Sequence, residues 1–186
     1  MINKYTLILI SVFILSACSS AGSEATRPTL GSPNAKVIIE EFSDLQCPGC
    51  AVVGPQVEEL VRANPDVARL EFHHFPLTMH EFAFRAAQAA ECANRQDKFW
   101  EYARTIFENQ KSLSEDFLNK VAEELELDLT AFSQCLDKDQ TKDIVRADVK
   151  EGTRRPVTYT PSLFVNGKLV QWTSKEAFEG YINSLK

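Results

Sequence analysis

The chain has 186 residues, 44% of them apolar and 25% charged, enough for one domain with its own core. Its net charge is −6 and the basic side chains are scattered rather than clustered, which argues against nucleic acid as a partner. There is no internal repeat, and beyond the N-terminus no apolar segment is long enough to span a bilayer.

Asn3 and Lys4 make a short polar, basic start, and Tyr5 to Leu15 is an uncharged apolar run of 11 residues. That is short for a bilayer span and fits the middle region of a signal peptide. Leu15-Ser16-Ala17-Cys18 resembles a bacterial lipobox, in which the cysteine receives lipid and becomes the mature N-terminus. The alternative is an ordinary signal peptide with an incidental Cys18. Residues 1–18 are therefore expected to be a lipoprotein signal peptide, and the loss of Lys4 takes the charge to −7. Residues 19–33, rich in Ser, Thr, Gly, Ala and Pro, read as a flexible tether.

Val37 to Phe42 reads as a buried strand. A helix should start at Cys47-Pro48, because proline suits the first helical position, where its missing N–H would be unpaired anyway. It continues through Val53, Val57, Leu60 and Val61, with Pro55 inside it expected to cause a kink, and Asn64-Pro65-Asp66 ends it. Arg69 to Phe75 is the next strand, completing a βαβ unit. From Thr78 to about Lys150 the pattern is helical: Phe82 to Ala93, Phe99 to Phe107, Ser114 to Leu125, Leu129 to Leu136, and Thr141 to Glu151 with an end at Gly152. Ser162 to Val165 and Leu169 to Trp172 form a hairpin around Asn166-Gly167, a strong two-residue turn signal, and Lys175 to Leu185 is a last helix.

Cys47 and Cys50 stand two residues apart, straight after an apolar run and at a helix start. With Cys18 assigned to lipid, four cysteines remain, an even number of the kind an oxidising compartment favours. Of the three pairings, the adjacent couple makes Cys47–Cys50 with Cys92–Cys135 the evident one; the alternative for the second pair is two buried free thiols. The reactive form of cysteine is the thiolate, and N–H groups at a helix start lower the pKa of a thiol placed there. Cys47 should therefore be the sulfur that meets substrate. Cys50, one turn into the helix, should be less exposed and make or break the internal bond.

The order β-α-β, helical block, β-β-α resembles a thioredoxin fold with an inserted helical domain, as in DsbA-like thiol–disulfide oxidoreductases. The segments "EEFSDLQCPGC", "FPLTMHEFAFRAAQAAECA", "KFWEYARTIFENQ" and "TPSLFVNGK" carry the resemblance, which covers nearly all of residues 34–186. The fold class is thus expected to be α/β, with a thioredoxin-fold domain at 34–77 and 153–186 and an all-helical insert at 78–152. The resemblance implies a catalytic pair Cys47 and Cys50 around Pro48-Gly49, and a buried acid beneath it. Strand alternation turns one of Glu40 and Glu41 inward, and the resemblance selects Glu41, six residues before Cys47. It also implies a cis bond before Pro161 facing the active cysteine, with Thr160 offering its backbone to an extended client. The family often has Gly before that Thr, and here Tyr159 stands there. Some relatives carry a disulfide within the helical domain, which supports a structural bridge between Cys92 and Cys135.

Pro48 in first place resembles the oxidant branch, whereas strong oxidants there often carry His in the second place, and Gly49 cannot supply its positive character. An oxidant of disulfides in exported proteins, weaker than the most oxidising relatives, is the main expectation. By resemblance a membrane quinone-linked oxidase would re-oxidise it. A reductase or isomerase is the runner-up; a thioredoxin-fold metallochaperone and a non-catalytic lipoprotein are readings of other classes. His73 and His74 are adjacent on a strand and point to opposite faces, so they do not ligate one ion together easily. His80 reads as part of a helix start. No metal and no cofactor is implied. Phe82, Phe84, Phe99, Trp100, Tyr102 and Phe107 read as core of the helical block rather than as a peptide groove. The expected location is extracytoplasmic, held to a bacterial membrane by lipid (the periplasmic side if there are two membranes), as a monomer.

Overall fold

A computed structural model of the chain describes residues 27–186. The expected signal peptide, the lipidation site Cys18 and most of the expected tether lie outside the described residues. The elements in chain order are β1 (Thr29–Leu30), β2 (Val37–Ser43), α1 (Pro48–Ala63), β3 (Ala68–His74), α2 (Ala83–Asn94), α3 (Phe99–Glu108), a 3₁₀ turn (Gln110–Ser112), α4 (Glu115–Glu124), α5 (Leu129–Leu136), α6 (Asp139–Arg154), β4 (Ser162–Val165), β5 (Lys168–Val170) and α7 (Lys175–Ser184). This is β-α-β, a helical block, then β-β-α, preceded by one short extra strand. Among the described residues no helix is long and apolar enough to cross a membrane.

The sheet runs β1-β3-β2-β4-β5. β2 and β3 are parallel and joined through α1, while β4 runs antiparallel to β2 and pairs with β5 through the turn at Asn166-Gly167. Both turn residues have positive φ, 48° and 78°, as a two-residue hairpin of this twist demands. Asn166 also ties the turn to β2: its Oδ1 accepts from Ile38 N and its own N–H donates to Ile38 O, each at 2.8 Å.

The period of two along β2 decides what lies beneath α1. Val37 and Ile39, both fully buried, point into an apolar cluster with Val53, Val57, Leu60 and Val61 of α1 and Phe178 and Ile182 of α7. Two residues further on, Glu41 points to that same side. The other face of β2 carries Phe42, which packs with Phe75, Val157 and Phe164. A third cluster joins Leu45, Cys47 and Cys50 to Phe99, Tyr102, Ile106 and Phe107 of the helical block, so the cysteine pair sits at the seam between the two.

Two expectations need correction. The stretch read as tether is not free over its described part: β1 pairs antiparallel with β3, Pro28 O accepts from Phe72 N at 3.0 Å, and the Arg27 guanidinium reaches His73 Nδ1 at 2.6 Å and Asp148 at 2.7 Å. Without β1 the outer edge of β3 would present unpaired backbone groups, and that need outweighs a loop-like composition. Helix α6 does not end at Gly152 but runs on to Arg154. A Cβ at Gly152 would lie 2.6 Å from the Phe75 ring, so this glycine permits close approach rather than a cap. α1 continues through Pro55, which removes one intrahelical hydrogen bond.

Candidate active site

Cys47 is the N-cap of α1, with extended backbone (φ −77°, ψ 124°), and Pro48 takes the first helical position. Its own side chain makes no capping bond to the helix, which leaves the sulfur to face the first-turn N–H groups as an acceptor. Both active-site thiols are free, and Cys50 is fully enclosed while Cys47 retains 8% of its surface. Thr160–Pro161 is a cis peptide, and the Thr160 carbonyl lies 3.5 Å from Cys47 Sγ. Gly49 fits between them: a Cβ there would sit 3.4 Å from Pro161 Cδ and 3.7 Å from Cys47 Sγ. The fold thus brings together Cys47, Pro48, Gly49, Cys50, Thr160 and Pro161. Beside Pro161 an open cleft of about 320 Å³ is lined by Val53, Tyr159, Val170, Gln171 and Trp172.

The two sulfurs differ sharply in acidity. A hydrogen bond from Cys50, then contact with Thr160 and the N–H groups of Cys50 and Gly49, brings Cys47 down from 9.0 to about 5, against an opposing effect of burial. Thr160 acts in two ways. Its carbonyl receives the Cys47 S–H and so favours the neutral thiol, whereas its hydroxyl, without another partner among the described residues, is free to turn its hydrogen to the thiolate. The lowered value means that the donors to the thiolate win. Burial pushes the Cys50 thiol far up, and its bond to Cys47 adds to this, although Asp44 N–H donates to Cys50 Sγ at 3.4 Å.

Glu41 is 1% exposed and its Oε1 has no hydrogen-bond partner among the described residues. Burial raises its carboxyl from 4.5 to about 7; the Ser43 hydroxyl opposes this and the Glu58 charge adds to it. A small cavity of about 10 Å³ lies between Glu41, Gly54, Glu58 and Phe107, room for about one water. Glu58 closes its far side, bonded to both Arg62 and Arg104. Glu40 instead faces the opposite side of the sheet and binds the Arg155 guanidinium with both oxygens.

Cys92 of α2 and Cys135 of α5 are joined by a disulfide within the helical block. Phe99, Tyr102 and Phe107 are buried in its core, and Tyr102 donates to Leu118 O at 2.8 Å. His73 and His74 diverge as alternation requires: His73 meets Arg27 and the acids around it, and His74 Nε2 bonds Glu91 at 2.9 Å. Burial and the Arg27 and Arg155 charges hold His73 down at about 3.

Three residues near the cysteines escaped sequence reasoning. Asp44 accepts hydrogen bonds from Gln46 N and Leu77 N and pairs with His80 Nδ1 at 2.7 Å. Gln46 Oε1 accepts from Phe82 N, and Gln110 Nε2 donates to the carbonyls of Leu45 and Cys47. Asp44 and Gln46 lie within "EEFSDLQCPGC" and Gln110 closes "KFWEYARTIFENQ", so the signal was in quoted segments, but no local rule assigns such bonds.

Comparison with known proteins agrees with this geometry. Residues 23–184 match the family model described as Thioredoxin. The chain belongs to the thioredoxin family. The probable disulfide bond formation protein D of Bacillus anthracis is 32% identical to it over 158 residues, 78% of this chain and 72% of that protein. The crystal structure of Pseudomonas aeruginosa DsbA2 superposes with a TM-score of 0.69 at 27% identity, covering 85% of this chain and 93% of that one. The architecture is therefore the thioredoxin fold with a helical insert, as in DsbA-type oxidoreductases. The Na(+)/H(+) antiporter NhaA 3 of Salinispora tropica is 36% identical over 139 residues, which are 74% of this chain but 21% of that protein. The chain thus spans about a fifth of the length of such relatives.

Proposed function

We propose that this thioredoxin-family protein is an extracytoplasmic thiol–disulfide oxidoreductase that introduces disulfides into exported proteins through Cys47 and Cys50. The observation that carries the direction is the acid Cys47 thiol, at about 5, set against the enclosed Cys50. A stabilised thiolate makes the dithiol form comparatively stable, which makes the disulfide form an oxidant. The similarity to the Bacillus anthracis protein named for disulfide bond formation supports the same direction.

In the oxidative cycle a client thiolate attacks Cys47 Sγ of the internal disulfide. A mixed disulfide forms, the Cys47–Cys50 bond breaks, and Cys50 leaves with the electron pair and takes up a proton. Glu41, half protonated near neutrality, supplies that proton, and the neighbouring one-water cavity lets it exchange with its surroundings. A second client thiolate then attacks the client sulfur of the mixed disulfide. Cys47 departs as a thiolate, the client leaves with a disulfide, and two electrons remain on the protein. Thr160 offers its backbone to an extended client segment, and the cleft by Tyr159 and Trp172 receives a client side chain.

In this reading residues 78–152 are an insert in a thioredoxin-fold domain at 34–77 and 153–186, and Cys92–Cys135 braces that insert. Lipid on Cys18 anchors a monomer to the outer face of a bacterial membrane, where a membrane quinone-linked oxidase takes the electrons. The deciding experiment is the reduction potential of Cys47–Cys50 in equilibrium with glutathione. A value toward about −120 mV supports the oxidase, and one near about −270 mV reverses the direction to reductase.

A further inference from the structure

We propose that Gln110, a residue of the helical insert, is a positioning residue for Cys47: its side-chain amide gathers the two carbonyls of the active-site loop and so keeps the sulfur aligned as a stabilised thiolate. Gln110 opens the 3₁₀ turn that follows α3. Its Nε2 donates to Leu45 O at 3.0 Å and to Cys47 O at 2.9 Å. An amide nitrogen carries two hydrogens, and both are spent here. Two converging carbonyl oxygens accept only from the NH₂ end, so the chemistry itself sets the orientation of the amide.

The loop so held is short and has a second clamp from the insert. Gln46, between the two gathered carbonyls, bonds Phe82 N through its Oε1 and Asp44 Oδ1 through its N–H. Cys47 N–H donates to Asp44 O, and Cys47 O also receives Ala51 N–H at 3.2 Å. Gln110 therefore acts on the carbonyl of the N-cap residue itself, the group whose placement fixes where Sγ meets the first turn. The groups acting directly on that sulfur are Cys50, Thr160 and the N–H groups of Gly49 and Cys50, while Asp44 and Glu41 act on Cys50. Without the amide, Leu45 O loses that donor and Cys47 O keeps the Ala51 N–H, so two neighbouring carbonyl dipoles are left under-satisfied beside a negative sulfur. The loop relieves this by turning, and Sγ loses its alignment with the helix start. Both effects favour the thiol over the thiolate.

The inference rests on Cys47 being the reactive sulfur, and its test needs no client and no redox direction. The thiolate ultraviolet absorbance of Cys47 is followed against pH in reduced wild type, Gln110→Ala, Gln110→Glu and Gln110→Lys, with Lys111→Gln as a neighbouring exposed change. Gln110→Ala should cut the thiolate fraction below the midpoint by about threefold to tenfold, the worth of one ordinary hydrogen bond. Gln110→Glu, which offers acceptors and a negative charge, should titrate higher still. Gln110→Lys, which restores a donor, should titrate below Gln110→Ala, and Lys111→Gln with wild type. Should Gln110→Ala fail to fold, the order of the Glu and Lys variants carries the test. A Gln110→Ala titration within about twofold of wild type overturns the inference. So does an equal upward displacement by Glu and Lys, which would mean general loosening. Failure of the wild type to oxidise any client would count against the proposed function and leave this titration order standing.

Discussion

The acid Cys47 thiol has a thermodynamic consequence that separates the two redox forms. Its pKa is about 5 in the folded protein against an ordinary 9.0. A group whose folded pKa is depressed contributes stability that is complete above its unfolded value and is lost as pH falls through the folded one. At about 1.4 kcal/mol per unit, the two units between 5 and 7 are worth about 3 kcal/mol at pH 7 and almost nothing at pH 4. Only 8% of Cys47 is exposed, so solvent screening takes little from this. Cys50, pushed upward by burial, stays neutral throughout the window. Glu41 works in the opposite sense, because its carboxyl is raised to about 7 and favours folding at low pH, but it does so in both redox forms. The difference in stability between reduced and oxidised protein isolates Cys47, which does not titrate in the disulfide. That difference should shift against the reduced form by about 3 kcal/mol between pH 7 and pH 4. Reduction under native conditions spares the enclosed Cys92–Cys135 bond, and urea unfolding of both forms across this range measures the shift. A gap that stays constant within about 1 kcal/mol would refute the low thiol pKa and with it the argument for the oxidative direction.

Three further outcomes are expected. Glu41→Gln should slow release of Cys50 by about a hundredfold near neutrality, as seen by stopped-flow with a model dithiol, while stabilising the fold by about 2–3 kcal/mol at pH 7, since a carboxylate raised from 4.5 to about 7 costs stability once it ionises. Gly49→His has space for its Cβ, 3.7 Å from Cys47 Sγ; it should lower the Cys47 titration midpoint further and raise the reduction potential, both measurable in one glutathione series. Replacing Cys92 and Cys135 together by Ser opens a bridge with a sequence separation of 43 and should cost about 4 kcal/mol in denaturant unfolding, with the Cys47 titration unmoved.

What the sequence revealed and what it hid divide along the range of the interactions concerned. Pro48 at a first helical position, Asn166-Gly167 at positive φ and the alternation that turns one of Glu40 and Glu41 inward are properties of a few neighbouring residues, and each was legible, while the choice of Glu41 came from the resemblance. Gly152 misled because glycine serves two needs: sequence suggests the left-handed cap, whereas here the missing Cβ admits the Phe75 ring, which a chain position 77 residues earlier cannot announce. β1 was hidden because a two-residue strand has no period, and its pairing is demanded by the edge of β3 rather than by its own composition. The supports of the cysteine loop are the extreme case. Gln110 acts across 65 residues on Leu45 and 63 on Cys47, and Asp44 across 36 on His80. Side-chain bonds to distant backbone carry no periodicity and no preferred spacing. Yet the loop they hold joins a strand to a helix start and must keep one sulfur in place through repeated breaking of its bond, which local backbone preference alone does not secure. The helical insert packs its core against Leu45, Cys47 and Cys50 and also reaches that loop through Gln110, Phe82 N–H and His80, so it contributes to the chemistry through three directed contacts as well as through its bulk.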